Sequence, residues 1–384
     1  MSVLLRRSVG VLFAAVAMLA APAEAGDYTP VTCTVHAAYA GKPLHPAVDP
    51  ALAGNIPDLT LPAATAAMLD QTFDKMRTAA KADALGIAVG RVGEGMWSRS
   101  ALPVGAQRLW WASAGKMFVA VVVLQLVEEK KLSLDDVVSR WVAAVPNGDV
   151  VTVRDLLAHT SGLFSANEDL LVHAKPHYLA HAEMLALLQK HGAMFCPGAN
   201  WRYSNSGYDL LGEIVQSVDR RPLAEAIEAR IVKPLGLASV EVLRGGVPAP
   251  DVAPPVSAKE PVMDVSVAGA AGAIAADPSD MVRFLAAVLG GKLLKPETAS
   301  AMFAQLYPMF DAGTYYGLGA MLFEVNDGAR SDVWLGHAGG APGVTAVIAY
   351  SPADRTIIAV ALTGDGPATA VANGVLKTLR APAP

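Results

Sequence analysis

Cysteine is scarce in this chain. Cys33 and Cys196 are the only two among 384 residues, so one internal disulfide is the most they can form, and neither has the spacing of a metal-ligand set. Charge is sparse as well, at 17% of residues. No Lys/Arg-rich run interrupts the formal net charge of −5, which excludes nucleic acid as a natural partner. Beyond residue 25 no apolar run reaches the roughly 20 residues that a membrane helix needs. Internal repeats and low-complexity tracts are lacking too. What is present is 53% hydrophobic, enough to bury a large core as one large domain or two.

The N-terminus has the order of a secretory signal: Arg6-Arg7, the apolar stretch Val9 to Ala20, then Ala23-Glu24-Ala25. Cleavage is expected after Ala25 and removes a net +1. The mature chain is then expected in the periplasm or outside the cell. There Cys33 and Cys196 either pair or remain two separate buried thiols.

The most informative stretch is Trp111-Ala112-Ser113-Ala114-Gly115-Lys116, followed by the apolar run Met117 to Val127. That run has almost no polar face, so it predicts a buried helix with Ser113 in its first turn. Ser113 and Lys116 are three apart and share a face. A hydroxyl placed there meets unpaired backbone N–H groups and the positive end of the helix dipole. A desolvated Lys116 loses basicity until it can serve as a base near neutral pH, which activates a serine without histidine. The competing reading is an N-cap serine beside a snorkelling lysine.

Two further stretches carry chemistry. Phe195 to Tyr208 is dense in turn formers and holds Tyr203 and Asn205 two apart, able to point into one cleft from an extended backbone. A nearby ammonium favours the phenolate of Tyr203, which then works as a proton carrier; Asn205 holds a substrate amide or orients Lys116. Gly336-His337-Ala338-Gly339-Gly340-Ala341-Pro342-Gly343 reads as a loop between β-runs, with glycines that admit a close backbone or ligand. His173, His177 and His181 are spaced like a metal stripe, but Pro176 interrupts it, and no metal or other cofactor is expected.

The chain order gives the architecture. Residues 63–81 predict an amphipathic helix and Leu85 to Gly90 a strand leading to a hairpin. Ser133 with Asp136, and Thr152 with Asp155, look like capping boxes that each start a helix. Pro278 to Leu289 and Ala368 to Leu379 predict helices, and the last third is β-rich. The expected fold is α/β (α+β): an antiparallel sheet flanked by helices, with an inserted, mainly helical subdomain. The expected division is 1–25 signal, 26–61 N-terminal arm, 62–130 plus 263–384 sheet domain, and 131–262 helical subdomain.

Taken together and in this order, Ser113-x-x-Lys116, Tyr203-x-Asn205 and His337-x-Gly339 resemble the three active-site elements of the penicillin-recognising serine hydrolases, the family of class C β-lactamases and D-Ala-D-Ala carboxypeptidases. Leu156-Leu157-Ala158-His159-Thr160-Ser161-Gly162-Leu163 and Tyr208-x-Leu210-Leu211-Gly212 look like further signatures of that family, in which His159 is structural. The resemblance covers roughly residues 65–365. It implies an acyl-enzyme made by Ser113, proton transfer shared by Lys116 and Tyr203, and an oxyanion held by the N–H groups of Ser113 and Gly340, each such donor worth ~3 kcal/mol. Asn205, His337, Gly339 and Gly340 are then the substrate-binding residues, with His337 beside Tyr203. One departure is informative: Ala338 stands where many members have threonine. Its missing hydroxyl removes a hydrogen bond to a substrate carboxylate and leaves an esterase or amidase open. The implied partner is a small-molecule or peptide substrate; oligomeric state is left open. A β-lactam sensor or non-turnover binding protein of the same fold is the alternative, disfavoured by the presence of both Lys116 and Tyr203.

Overall fold

The computed structural model describes residues 28–52, 54–326 and 330–381. The expected signal at 1–25 lies outside them. The described residues of 28–62 hold no helix and run along the body, touching it at isolated bridges such as His45 to Leu306 and Thr60 to Met96. Cys33 is disulfide-bonded to Cys196, which ties this arm to the segment that leads to Tyr203. The arm therefore bears on the site, although it contributes no side chain to the chemistry. Iodoacetamide applied to the denatured, unreduced protein should modify neither thiol, and after reductant both; intact mass reads the difference, and two thiols already reactive without reductant would rule the bond out.

Helix α1 (Ala63–Ala80) leads into a hairpin of β1 (Ala84–Arg91) and β2 (Gly95–Ala101). Its turn needs left-handed backbone, supplied by Gly93 at φ 80° and Gly95 at φ 133°. A short strand β3 (Leu109–Trp110) and one 3-10 turn, Ala112–Gly115, precede α2 (Lys116–Glu128). Then comes a run of helices: α3 (Val153–Ala158), α4 (Leu170–Ala174), α5 (His181–His191), α6 (Asn205–Asp219), α7 (Leu223–Ile227) and α8 (Lys233–Leu235). Strands β4 (Glu241–Val242) and β5 (Ile274–Ala276) pair with β3 in a small sheet. Helices α9 (Pro278–Leu289) and α10 (Pro296–Ala301) follow. The chain ends with β6 (Tyr307–Pro308), β7 (Thr314–Tyr316), β8 (Met321–Asn326), β9 (Ser331–Ala341), β10 (Val344–Ser351), β11 (Thr356–Thr363) and α11 (Ala368–Arg380).

Among the described residues, eight strands form the main sheet in the order β2-β1-β11-β10-β9-β8-β7-β6, with antiparallel neighbours throughout. The first hairpin closes on the last strand, Ile87 opposite Val360. Alternation along the strands sorts the core into two layers. Leu85, Ile87, Val89, Ile358 and Val360 face α1 and α11, meeting Phe73, Val371 and Leu376. Ala84, Ala88, Ile357 and Ala359 belong to the larger core, which also contains α2 and α9. There Phe118 of α2 stacks on Phe284 of α9 with ring centroids 3.7 Å apart. Each fully buried ring of this kind contributes about 2–3 kcal/mol by area removed from water. α2 is thus clamped from all sides, which fixes the residues at its first turn.

Two local expectations need correction. Thr152 and Asp155 do form a capping box and start α3. The Ser133 N–H donates to Asp136 Oδ2, but Ser133 Oγ accepts from the Asp135 N–H and not from Asp136, and no α-helix follows, only a 3-10 turn at Val138–Arg140. Val137 is extended and bridged to Thr152, which breaks the helical path within one turn of Ser133. The second correction concerns the glycine-rich segment 336–341, read as a loop. It is the end of β9, paired residue by residue with β10. Glycine disfavours an isolated strand, but here the pairing and a tight contact described below override that cost.

Candidate active site

The 3-10 turn carrying Ser113 is anchored by two tryptophans. Trp110 Nε1 donates to the Gly272 carbonyl (2.7 Å) and Trp111 Nε1 to the Ala276 carbonyl (3.1 Å). Trp111 N–H also donates to the Ile274 carbonyl (2.9 Å). Between them and Ser113, Ala112 sits at φ 44°, a left-handed conformation that costs a non-glycine residue about 1 kcal/mol or more and is held by these anchors. Ser113 is 9% exposed and Lys116 is fully buried.

Lys116 Nζ donates to Ser113 Oγ (3.1 Å), to Asn205 Oδ1 (2.7 Å) and to the Ala271 carbonyl (2.7 Å). Burial lowers its pKa to about 7, while the Asp209 carboxylate opposes part of that shift. Near neutral pH a large share of Lys116 is therefore uncharged. A neutral amine keeps the two short bonds and turns its lone pair to Ser113 Oγ, where it can take the serine proton.

Tyr203 is nearly buried, with its hydroxyl against Ser113 and without a partner in full hydrogen-bond geometry. The Lys116 ammonium position lies 4.9 Å from its ring centroid. Even so, burial dominates and pushes the phenol above its ordinary pKa, so Tyr203 rests as a phenol and not as the phenolate that its lysine neighbour suggested. Asn205 opens α6 instead of lying on extended backbone, with Ser204 as N-cap. Its backbone N–H donates to Ser165 Oγ (2.9 Å) and its Nδ2 to Asn167 Oδ1 (3.0 Å), which leaves Oδ1 for Lys116. His159 caps α3 at φ 61°, accepts the Ser204 N–H on Nδ1 (3.2 Å), and packs its ring 4.1 Å from that of Tyr203. Burial holds it neutral, and it serves as a platform for Tyr203.

The β9 element behaves differently from expectation at one residue. His337 is fully buried. Its Nδ1–H donates to the Ala338 carbonyl (2.6 Å) and its Nε2 accepts from the Tyr316 hydroxyl (3.0 Å). Burial lowers its pKa to about 3, so it is neutral. His337 thus steadies Tyr316 behind the site and presents nothing to a substrate. Strand alternation is the reason, because its side chain points into the core between elements and not to the strand edge. Gly339 and Gly340 do meet the site. A Cβ on Gly339 would lie 2.2 Å from the Trp111 carbonyl oxygen and 3.0 Å from the Ser113 nitrogen, so only glycine lets β9 rest on the Ser113 turn. The Ala338 N–H points away from β10, toward Met321 Sδ (3.4 Å). The Gly340 N–H, two residues on, has the same sense and faces the cleft beyond the end of β8. It can hold an oxyanion together with the Ser113 N–H.

Gly339→Ala should cost on the order of 1–3 kcal/mol through overpacking, and about 100-fold in ester kcat/KM through displacement of the Ser113 turn. Thermal unfolding and one ester assay check it; wild-type values in both would contradict this packing.

A cleft of about 150 Å³ opens beside Ser113, lined also by Asn167, Asn205, Asp209, Met263 and Gly340. His173 and His177 stand on its wall; His177 is bonded to Glu183 (2.8 Å) and His181 lies 3.6 Å from Glu213, so these two engage separate carboxylates. Five participants went unread in the sequence: the two tryptophans, Asn167, the 269–272 backbone and Asp209. Only Asp209 had a signal, being four residues after Asn205 on one helix face.

Fold and constellation together define the class. A model described as Beta-lactamase matches residues 69–380, and the chain belongs to that family. Among solved structures, a D-stereospecific amidohydrolase from Streptomyces sp. is 30% identical, with TM-score 0.68 over 82% of this chain and 97% of that one. A penicillin binding protein from Bacillus halodurans is 25% identical, with TM-score 0.67 over 79% of this chain and 97% of that one. Esterase EstB of Burkholderia gladioli is 33% identical over 204 residues, 46% of this chain. The chain spans 51% of the length of EstB, and 59% and 30% of two other curated relatives.

Proposed function

We propose that this protein is an exported serine hydrolase that cleaves small esters or amides through an acyl-Ser113 intermediate. The observation that carries the reading is a fully buried Lys116 whose Nζ lies 3.1 Å from Ser113 Oγ. Neutral Lys116 takes the serine proton as Oγ bonds to the carbonyl carbon. The N–H groups of Ser113 and Gly340 receive the developing oxyanion. Lys116, now an ammonium, favours the Tyr203 phenolate, so Tyr203 can give its proton to the leaving oxygen or nitrogen as that bond breaks, and recover one from Lys116. Water then repeats the sequence on the acyl ester.

The choice of esters and amides rests on the cleft's charge. No Lys or Arg lines it among the described residues, and Asp209 does. A carboxylate-bearing D-Ala peptide or β-lactam therefore meets no lysine or arginine there, only His173 and His177 on the wall, besides the hydroxyl missing at Ala338. The names of EstB and the Streptomyces amidohydrolase support the same reading. Export is supported by the Arg6 to Ala25 pattern and by the Cys33–Cys196 bond; N-terminal sequencing of the mature protein should begin at Gly26.

The test is kcat/KM on p-nitrophenyl acetate, one cephalosporin and one D-Ala-D-Ala peptide. The ester should be turned over readily, the cephalosporin weakly and the peptide at low efficiency. A hundredfold or greater preference for the peptide or cephalosporin, about 2.7 kcal/mol of transition-state binding, would overturn the assignment.

A further inference from the structure

Helix α6 supplies Asn205 to Lys116 at its first position. One turn on, at i+4 and so on the same face, it carries Asp209, which lines the same cleft as Ser113 and Gly340. The carboxylate is partly buried and faces the backbone N–H groups of Ala270 and Ala271. Gly269 makes the approach possible, since a Cβ there would lie 2.6 Å from Asp209 Oδ1. The cation that acts on Asp209 is Lys116, and Lys116 is already committed to Ser113, Asn205 and the Ala271 carbonyl. Burial raises the Asp209 pKa to about 6, so at neutral pH it is ionised and its charge is incompletely met. The walls around it are largely apolar, with Val172, Tyr178, Met263 and Val267. Tyr203, which must reach the leaving group, does not line this cleft. The pocket with Asp209 is therefore on the acyl side of the bond to be cut.

We infer that Asp209 binds a free ammonium group on the acyl part of the substrate, so that the favoured esters and amides are those of amino acids with an unblocked amine and an apolar side chain. This rests on the hydrolase reading above and narrows it to a substrate class. The charges support each other: a bound ammonium meets the incompletely balanced carboxylate and cancels its field at Lys116, which favours the neutral amine that attack on the carbonyl requires. Acylation of the amine removes the cation and leaves the Asp209 charge to the Ala270 and Ala271 N–H groups and the already committed Lys116, a loss that sites built around a polar contact register strongly.

The test is competition against p-nitrophenyl acetate hydrolysis by leucinamide and by N-acetyl-leucinamide, each as both enantiomers, with wild type and Asp209→Asn. Asparagine keeps an oxygen for the Ala270 and Ala271 N–H groups and removes only the charge. The wild type should show a Ki at least tenfold lower for one or both enantiomers of leucinamide than for the N-acetyl compound. In Asp209→Asn that ratio should fall at least tenfold. Equal wild-type Ki values would overturn the inference, and so would a ratio unchanged in the variant, which would make Asp209 only a support for the 269–272 backbone. Labelling of Ser113 by a fluorophosphonate on the same preparations separates the two levels. A labelled, ester-cleaving enzyme with no amine preference sinks the ammonium site alone. An unlabelled enzyme that leaves the ester intact sinks the hydrolase reading and this inference with it.

Discussion

Ser113→Ala should reduce ester kcat/KM by about 10⁴–10⁶-fold, to the level left by binding and the oxyanion donors alone. Ser113 Oγ is the hydroxyl that Lys116 Nζ contacts, at 3.1 Å, and the Tyr203 hydroxyl lies against the same serine. Among the described residues no other serine lies beside a buried lysine at the start of a buried helix. The variant should fold, because the turn is held by Trp110 and Trp111 and not by the serine side chain. Retention of more than a few per cent of activity, in protein free of wild-type contamination, would place the nucleophile elsewhere.

Lys116→Met should lower kcat/KM by about 10³–10⁴-fold, the upper range for loss of a general base. Methionine fills a similar volume without the amine, at the cost of leaving Asn205 Oδ1 and the Ala271 carbonyl without their donor. The wild-type rate on a neutral ester should rise with pH through about 7 as Lys116 becomes uncharged, and the variant should lack that limb. Stability should move in a linked way. The folded-state pKa of Lys116 is below its unfolded value, so between about 7 and the ordinary lysine value the unfolded chain binds more protons. Unfolding free energy therefore rises with pH across that window, and Lys116→Met should flatten the rise. Urea unfolding at pH 7 and pH 9 measures it. A Lys116→Met enzyme with an unchanged pH profile would show that another group takes the serine proton.

Much of this arrangement was legible in the residues themselves. The apolar run after Lys116 could only be a buried helix, and burial of the run buries the lysine. Alternating β-rich runs at both ends of the chain implied one antiparallel sheet closed by its terminal strands, as the pairing of Ala84–Arg91 with Thr356–Thr363 shows. The Cys33–Cys196 bond was one of two outcomes the count allowed, and spacing alone could not choose. What escaped was set by tertiary contact. Residues 336–341 read as a loop because glycine has no strand preference, whereas their strand is imposed by β10 and by contact with the Ser113 turn. His337 was aimed at the substrate because a motif gives position along the chain but not the face of a strand. The phenolate expected of Tyr203 failed on magnitude: one lysine neighbour, itself close to neutral, does not offset full desolvation. The Ala271 carbonyl, which completes the binding of Lys116, has no side-chain signature to read.

The central claim is that turnover passes through an ester on Ser113. The most direct measurement is acid-quenched mass spectrometry of the protein during hydrolysis of p-nitrophenyl acetate, with the adduct located by peptide mapping. The account predicts an acetyl group on the peptide that contains Ser113, absent from Ser113→Ala, and gone once the substrate is exhausted. An adduct that stays after the substrate is consumed would describe a sensor and not an enzyme. An adduct on another residue, or steady turnover with Ser113 unmodified at every quench time, would contradict the account.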